Sequence, residues 1–170
     1  NTTYGKVIRL NGDGSVPTDN PYDSQVWTYG HRNMQGAAVR PSDGALFTIE
    51  HGPKGGDELN LIQRGANYGW PVVSYGENYN GRPVGSGQHS AEGMAEPVYY
   101  WDPVIAPSGM AFYDGDMFPE WQGDLIIASL NPGGVVRLRL DGDRVVGEER
   151  FLRGTRIRDI EIAPDGAILA

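Results

Sequence analysis

The chain has 170 residues, enough for a domain with a real core, and its formal charge of −8 comes without any basic run, which excludes a nucleic-acid footprint. It has no cysteine, so a disulfide frame and a Cys-based zinc site are both excluded; the acidic surplus instead suits hard, oxygen-seeking cations such as calcium. The missing cysteine also fits an exported bacterial protein, periplasmic or secreted. Neither a signal peptide nor an apolar run of about 18 residues is present, so no membrane span is expected. The abrupt start at Asn1 and the stop at Ala170 inside an apolar run suggest a fragment or a processed piece.

Glycine makes up 25 residues, about twice its ordinary ~7% share, and 12 prolines are added to it. These residues punctuate apolar alternations and form no low-complexity tract, the pattern of short strands joined by tight turns. In chain order, strands are predicted over residues 6–10, 36–40, 45–50, 58–62, 97–101, 109–113, 124–130, 135–140, 144–152, 157–163 and 167–170. Asp43-Gly44, Asp141-Gly142 and Asp165-Gly166 supply turn signals between them. Helical periodicity is nearly absent; one helical turn is expected over 150–156. The fold class is all-β.

Two segments echo each other. Arg9-Leu10-Asn11-Gly12-Asp13 returns as Arg139-Leu140-Asp141-Gly142-Asp143, and Pro41-Ser42-Asp43-Gly44-Ala45-Leu46 returns, one residue shorter, as Pro164-Asp165-Gly166-Ala167-Ile168. Two different echoes in the same order suggest a repeated supersecondary unit. Residues 109–152 hold four predicted strands in about 44 residues, the size of one β-propeller blade. The chain then divides into the end of one blade (1–30), a blade with a long excursion (31–101), a further blade (102–153) and the start of another (154–170). About three blades leave two blade faces open, so a missing half or a second copy is expected to cover them. Residues 63–96, rich in Gly, Asn and Tyr, are too long for a turn and suggest a functional loop.

The chemistry-bearing residues cluster between Tyr29 and Pro71. Arg32 and Asn33, with Gln35, place a planar cationic fork and two amides at a strand entrance, suited either to ligand carboxylates and carbonyls or to stabilising the turn. In the run from Glu50 to Glu58, Gly52-Pro53 leaves two carbonyls on irregular backbone, and Asp57 and Glu58 supply adjacent carboxylates. Calcium coordination and a metal-free acidic turn both remain open there. Arg156 and Arg158 alternate about Ile157, so both guanidiniums project to one face of a strand and Asp159 to the other. That is either a solvated edge or a clamp for a polyanion. His31, His51 and His89 lack metal spacing, and His31 and His51 suit buried turn positions. No Ser-His-Asp set, Walker loop or dinucleotide fingerprint occurs, and Asn11–Ser15 lacks the twelfth-position glutamate of an EF-hand.

YGHRNxQG (29–36), EHGPxGGDELN (50–60), NYGWPVVSYGENY (67–79), SGMAFY (108–113) and RIRD (156–159) together resemble the soluble aldose dehydrogenases that use pyrroloquinoline quinone (PQQ), relatives of soluble glucose dehydrogenase. The resemblance covers essentially the whole chain and corresponds to the later half of such an enzyme. It implies a six-bladed β-propeller that oxidises an aldose sugar at its anomeric carbon to the lactone and passes the electrons to an acceptor. It implies that Arg32 and Asn33 contact the quinone and that Arg156 and Arg158 hold its carboxylates. The carbonyls of Gly52 and Pro53 would bind the calcium on the cofactor. Glu58 and the Tyr68 carbonyl would hold a second, structural calcium, and Ser74, Gly76 and Asn78 fall where some members have a further calcium loop. Asn131 stands where many relatives carry a cofactor-facing lysine, and losing that ammonium weakens the hold on an anionic quinone. Met34 replaces a usual proline. The general-base histidine of the family lies in its earlier half, outside this chain. The alternatives are a non-catalytic propeller used for binding and a truncated product without activity of its own.

Overall fold

The computed structural model describes residues 2–170. Twelve strands form four antiparallel sheets. The first pairs β1 (Lys6–Ile8) with β2 (Val26–Tyr29). The second runs β3 (Met34–Val39), β4 (Leu46–Glu50), β5 (Asp57–Leu61) and β6 (Tyr99–Trp101) in spatial order. The third runs β7 (Pro107–Phe112), β8 (Leu125–Ser129), β9 (Gly134–Asp141) and β10 (Arg144–Phe151). The last pairs β11 (Glu161–Ile162) with β12 (Ile168–Leu169). Each complete sheet is a simple meander, and the Asp-Gly signals fall in the β3–β4 and β9–β10 turns. Between β9 and β10 a two-residue turn, Gly142-Asp143, carries the left-handed residue at Gly142.

Burial explains why β8 reads as a nearly unbroken apolar run. Every residue of β8 (LIIAS) is buried because a sheet covers each of its faces. Its side chains alternate between two cores. Leu125 and Ile127 join Phe47, Ile49, Leu59, Met110 and Phe112 between the second and third sheets. Ile126 and Ala128 join Tyr113, Val135, Ile157 and Ile160 on the other side, toward the last sheet. Each buried Leu, Ile, Val, Phe or Met side chain here contributes about 1.5–3 kcal/mol. The innermost strands β3, β7 and β11 lie side by side. A Cβ at Gly36 of β3 would run into the Ser108 carbonyl, and one at Gly109 of β7 into Asp159, both well inside van der Waals distance. This arrangement of sheets around adjacent inner strands is part of a β-propeller, as expected.

Three expectations need correction. Strand β2 was not anticipated, because its four residues VWTY sit between polar neighbours with no alternation to mark them. No helical turn forms over 150–156: β10 runs on to Phe151, Leu152 takes a left-handed φ of 48°, and Thr155 N–H closes a turn on the Leu152 carbonyl at 3.1 Å. The strand predicted over 157–163 contracts to Glu161–Ile162, because Ile157 and Ile160, three apart, are both buried and so break the two-residue alternation. The only helical element among the described residues is a 3-10 turn at Pro119–Trp121.

Residues 62–98 contain no strand; main-chain pairs tie the excursion to the β4–β5 loop and to the end of β2. Lys54 and Glu77 exchange N–H and C=O at 3.0 Å each way, Tyr68 N–H donates to the Tyr29 carbonyl and Trp70 N–H to the Gly30 carbonyl, both at 2.8 Å. At the opposite end of the sheets Arg40 locks the echoed hairpins together. It donates to Asp43 of its own turn and to Asp143 and the Gly142 carbonyl of the β9–β10 turn, each at 2.6 Å for its closest contact.

Candidate functional site

Antiparallel order brings the starts of β3 and β7, the ends of β4 and β8, and the segment before β11 to one face of the molecule. Direct bonds stitch this face together. The His51 backbone N–H donates to the Asn33 carbonyl at 3.0 Å, and the His51 ring, through Nε2, donates to the Pro107 carbonyl at 2.6 Å. Leu130 N–H reaches the Ala106 carbonyl at 2.9 Å, Ile157 N–H the Ser129 carbonyl at 3.1 Å, and Gly109 N–H the Arg158 carbonyl at 3.0 Å.

On this rim Arg32 is half-buried, with Nη1 donating to the His51 carbonyl at 2.9 Å and its guanidinium 5.2 Å from the Trp70 ring centre. Its Nε is buried and has no partner among the described residues. Asn33 is exposed, and its Oδ1 accepts from Gln35 at 2.9 Å. Farther round, Arg156 and Arg158 are both exposed and flank the buried Ile157. Among the described residues neither guanidinium makes an ion pair or hydrogen bond. Asn131 lies exposed in the turn after β8, and at the far end of that turn Gly134 N–H donates to the Thr155 carbonyl at 2.7 Å.

The Gly52-Pro53 loop is buried, with Gly52 beside Arg32 and His51. A Cβ at Gly52 would meet the carbonyls of Gly55 and Gly56, so only glycine fits. Among the described residues neither the Gly52 nor the Pro53 carbonyl accepts a hydrogen bond. Asp57 supports the loop from beneath. Its Oδ1 accepts Gly52 N–H at 2.9 Å, and its Oδ2 accepts Ile105 and Ala106 N–H at 2.8 and 2.7 Å. Burial still pushes its carboxyl upward, partly offset by these bonds. Asp57 and Glu58 therefore do not act as one carboxylate pair: as consecutive strand residues they face opposite sides of β5.

Beneath Arg32 lies a second layer of carboxylates, Glu50 and Glu58, directly opposite each other across β4 and β5. Glu50 is 3% exposed and saturated with donors. Its Oε1 takes His31 Nδ1 at 3.1 Å and Asn60 Nδ2 at 2.8 Å; its Oε2 takes the backbone N–H of Arg32 at 2.6 Å and of Asn33 at 3.3 Å. Glu58 has only a 3.4 Å contact from Asn60, and burial first, then the charge of Glu50, pushes its carboxyl up to about 8. A cavity of about 10 Å³ adjoins it, lined by Glu50, Glu58, Tyr68, Gly56 and Ser74. That is room for a single small particle. The Tyr68 ring is committed elsewhere, with its hydroxyl bonded to the Gln63 N–H and the Leu61 carbonyl, while its own carbonyl accepts no bond. His31 is a buried, satisfied turn residue, stacked on Tyr68 at 4.4 Å and bonded to Thr28 at 2.9 Å.

Ser74 and Gly76 are spent on their own turn, Gly76 N–H donating to Ser74 Oγ at 3.1 Å, and Asn78 donates to the Pro83 carbonyl at 2.8 Å. Among the described residues no three His, Asp or Glu side chains converge as a metal cluster, so a cation here would rest on one or two carboxylates and main-chain carbonyls. Sequence reasoning missed the supporting roles of Glu50 and Asp57. The parity of β5 was a usable signal for Asp57; for Glu50 there was none, because half of its partners are backbone amides.

The glucose/sorbosone dehydrogenase family model matches residues 1–170. The aldose sugar dehydrogenase YliI of Escherichia coli is 45% identical over 95% of this chain and 46% of its own length. A glucose dehydrogenase crystal structure matches at a TM-score of 0.93 and 47% identity over 96% of this chain and 50% of that one. The PQQ-bound form of an aldose sugar dehydrogenase from Streptomyces coelicolor matches at a TM-score of 0.72 and 33% identity over 92% and 42% of the two chains. The chain spans about half the length of the curated relatives it matches. A match along every residue, at these identities and with this fold, places the chain in the glucose/sorbosone dehydrogenase family.

Proposed function

We propose that this chain supplies the cofactor and cation contacts of a PQQ-dependent aldose dehydrogenase that acts in the periplasm or outside the cell. The observation that carries the reading is the rim itself. Two unpaired guanidiniums at Arg156 and Arg158, a buried Arg32 Nε without a partner, and the free carbonyls of Gly52 and Pro53 share one face. PQQ is a flat polyanion with carboxylates and quinone oxygens, and this donor set fits it together with one calcium ion. When bound, PQQ supplies the electron sink for the C1–H bond of the sugar and calcium polarises the quinone as a Lewis acid.

The residues of this chain bind and orient. Arg156 and Arg158 would hold carboxylates of the cofactor, Arg32 and Asn33 would contact the quinone, and the carbonyls of Gly52 and Pro53 would hold a calcium ion. Glu58 and the Tyr68 carbonyl would hold a second calcium. Asn131 would donate an amide hydrogen bond without adding charge. Both ring nitrogens of His31 are bonded, His51 donates Nε2–H to the Pro107 carbonyl, and neither corresponds to the family's general base, which would take the hydroxyl proton of the sugar. That proton goes to a base in the portion of the relatives that this chain does not span.

Titrating the purified chain with PQQ in millimolar calcium and following the quinone absorbance tests this directly. Saturable binding that a chelator abolishes is the expected result. No binding would favour a propeller that has kept its calcium loops and lost the cofactor, the reading to which Asn131 points.

A further inference from the structure

Glu50 is an expensive residue to bury. It is a carboxylate at 3% exposure, placed directly across from a second carboxylate, Glu58, so its oxygens need hydrogen-bond donors supplied by the protein. The turn it serves already has main-chain closure through the His51 N–H to Asn33 carbonyl bond. What the carboxylate adds is a division of labour between its oxygens. One is anchored by His31 and Asn60, and the other grips the backbone amides of Arg32 and Asn33.

We propose that Glu50 is the positioning residue for the Arg32–Asn33 pair, holding both backbone amides so that the Arg32 guanidinium and the Asn33 amide are aimed at an anionic quinone before it arrives. The inference rests on the quinone reading above. The 2.6 Å bond to Arg32 N–H is the shorter of the two, and Arg32 is the residue whose buried Nε lacks a partner. Preorganisation of this kind raises affinity by removing the ordering cost from the binding step.

Two substitutions separate aiming from mere folding. Glu50→Gln keeps the length. His31 can turn acceptor at Nδ1 because the Thr28 hydroxyl both donates and accepts, and Asn60 has an unpartnered Oδ1 to offer the new amide. The glutamine oxygen then stays on Arg32 and Asn33. Glu50→Asp withdraws the carboxylate by one methylene and releases them. With PQQ and calcium, equilibrium binding should weaken about tenfold or more for Glu50→Asp, as for a lost charged hydrogen bond, and remain within about threefold for Glu50→Gln. Equal affinity of Glu50→Asp and the unsubstituted chain, or equal weakening of both variants, overturns the assignment. Amide hydrogen exchange on the unsubstituted chain decides the matter if a variant fails to fold. Arg32 and Asn33 amides should be protected before PQQ is added, and exchange at free-coil rates until it is added overturns the proposal. If the unsubstituted chain binds no PQQ, the functional reading fails and this inference falls with it; if it binds and the variants do not split, only the role of Glu50 is lost.

Discussion

Arg156 and Arg158 flank a buried isoleucine on an extended segment, and that two-residue spacing alone aimed both at the same rim. If they hold carboxylates of the cofactor, Arg156→Ala or Arg158→Ala should each cost about 1.5–3 kcal/mol of PQQ binding, the range for a charged hydrogen bond. Asn131→Lys, in the neighbouring turn, should tighten binding by restoring a point charge. A quinone titration of the three variants checks both, and unchanged affinity in the arginine variants would remove the clamp. Parity singled these arginines out in the sequence; the same parity in β5 could have separated Asp57 from Glu58, which were read only as adjacent carboxylates. Glu50 was not legible in the same way. Its acceptor role depends on amides 17 and 18 residues earlier in the chain, and backbone groups leave no mark on sequence pattern.

Among the elements, the buried meanders were legible and the edges were not. β8 is an apolar run bounded by turn residues, and β4 follows Asp43-Gly44 with Leu46, Phe47 and Ile49, so burial wrote both into the sequence. β2 and the segment from Leu152 to Ile160 are short, half-exposed pieces whose backbone is fixed by neighbouring strands, and tertiary pairing there outweighs local preference. The excursion over 62–98 was recognisable as a loop by its length, but its attachment points were not. Glu58, with its carboxyl raised by burial, and the free Tyr68 carbonyl close its near end around the small cavity. Calcium should therefore raise the melting temperature, since binding to the folded state alone is worth on the order of 3 kcal/mol at a hundredfold excess over Kd. Glu58→Gln should remove most of that gain. Melting curves in chelator and in millimolar calcium check the prediction, and identical curves for the unsubstituted chain would sink it.

For the whole molecule, the two outer sheets have two strands each where the inner ones have four. The β1–β2 side leaves Tyr4 88%, Ile8 44% and Tyr22 43% exposed, and Leu169 of β12 is 54% exposed at the other end. Apolar groups gathered at two end faces favour association, so the chain should either pair with the remainder of a propeller or self-associate. Two copies could close a ring about a two-fold axis, which would bind quinone yet turn over sugar very slowly for want of a base. Sedimentation at several concentrations checks this. A compact monomer that oxidises glucose briskly would contradict both parts.

The contacts at Gly36 and Gly109 set the pitch between neighbouring sheets. Each inner strand touches the next through a bare Cα, so a single methyl group would act as a wedge and open the angle at that joint. Angles around a closed circle must add up to one full turn, and a joint that opens forces the others to narrow or leaves a gap. The diameter of the central opening, and with it the footprint offered to anything lying across the rim, is thus tied to two hydrogen atoms on the inner edge of the sheets.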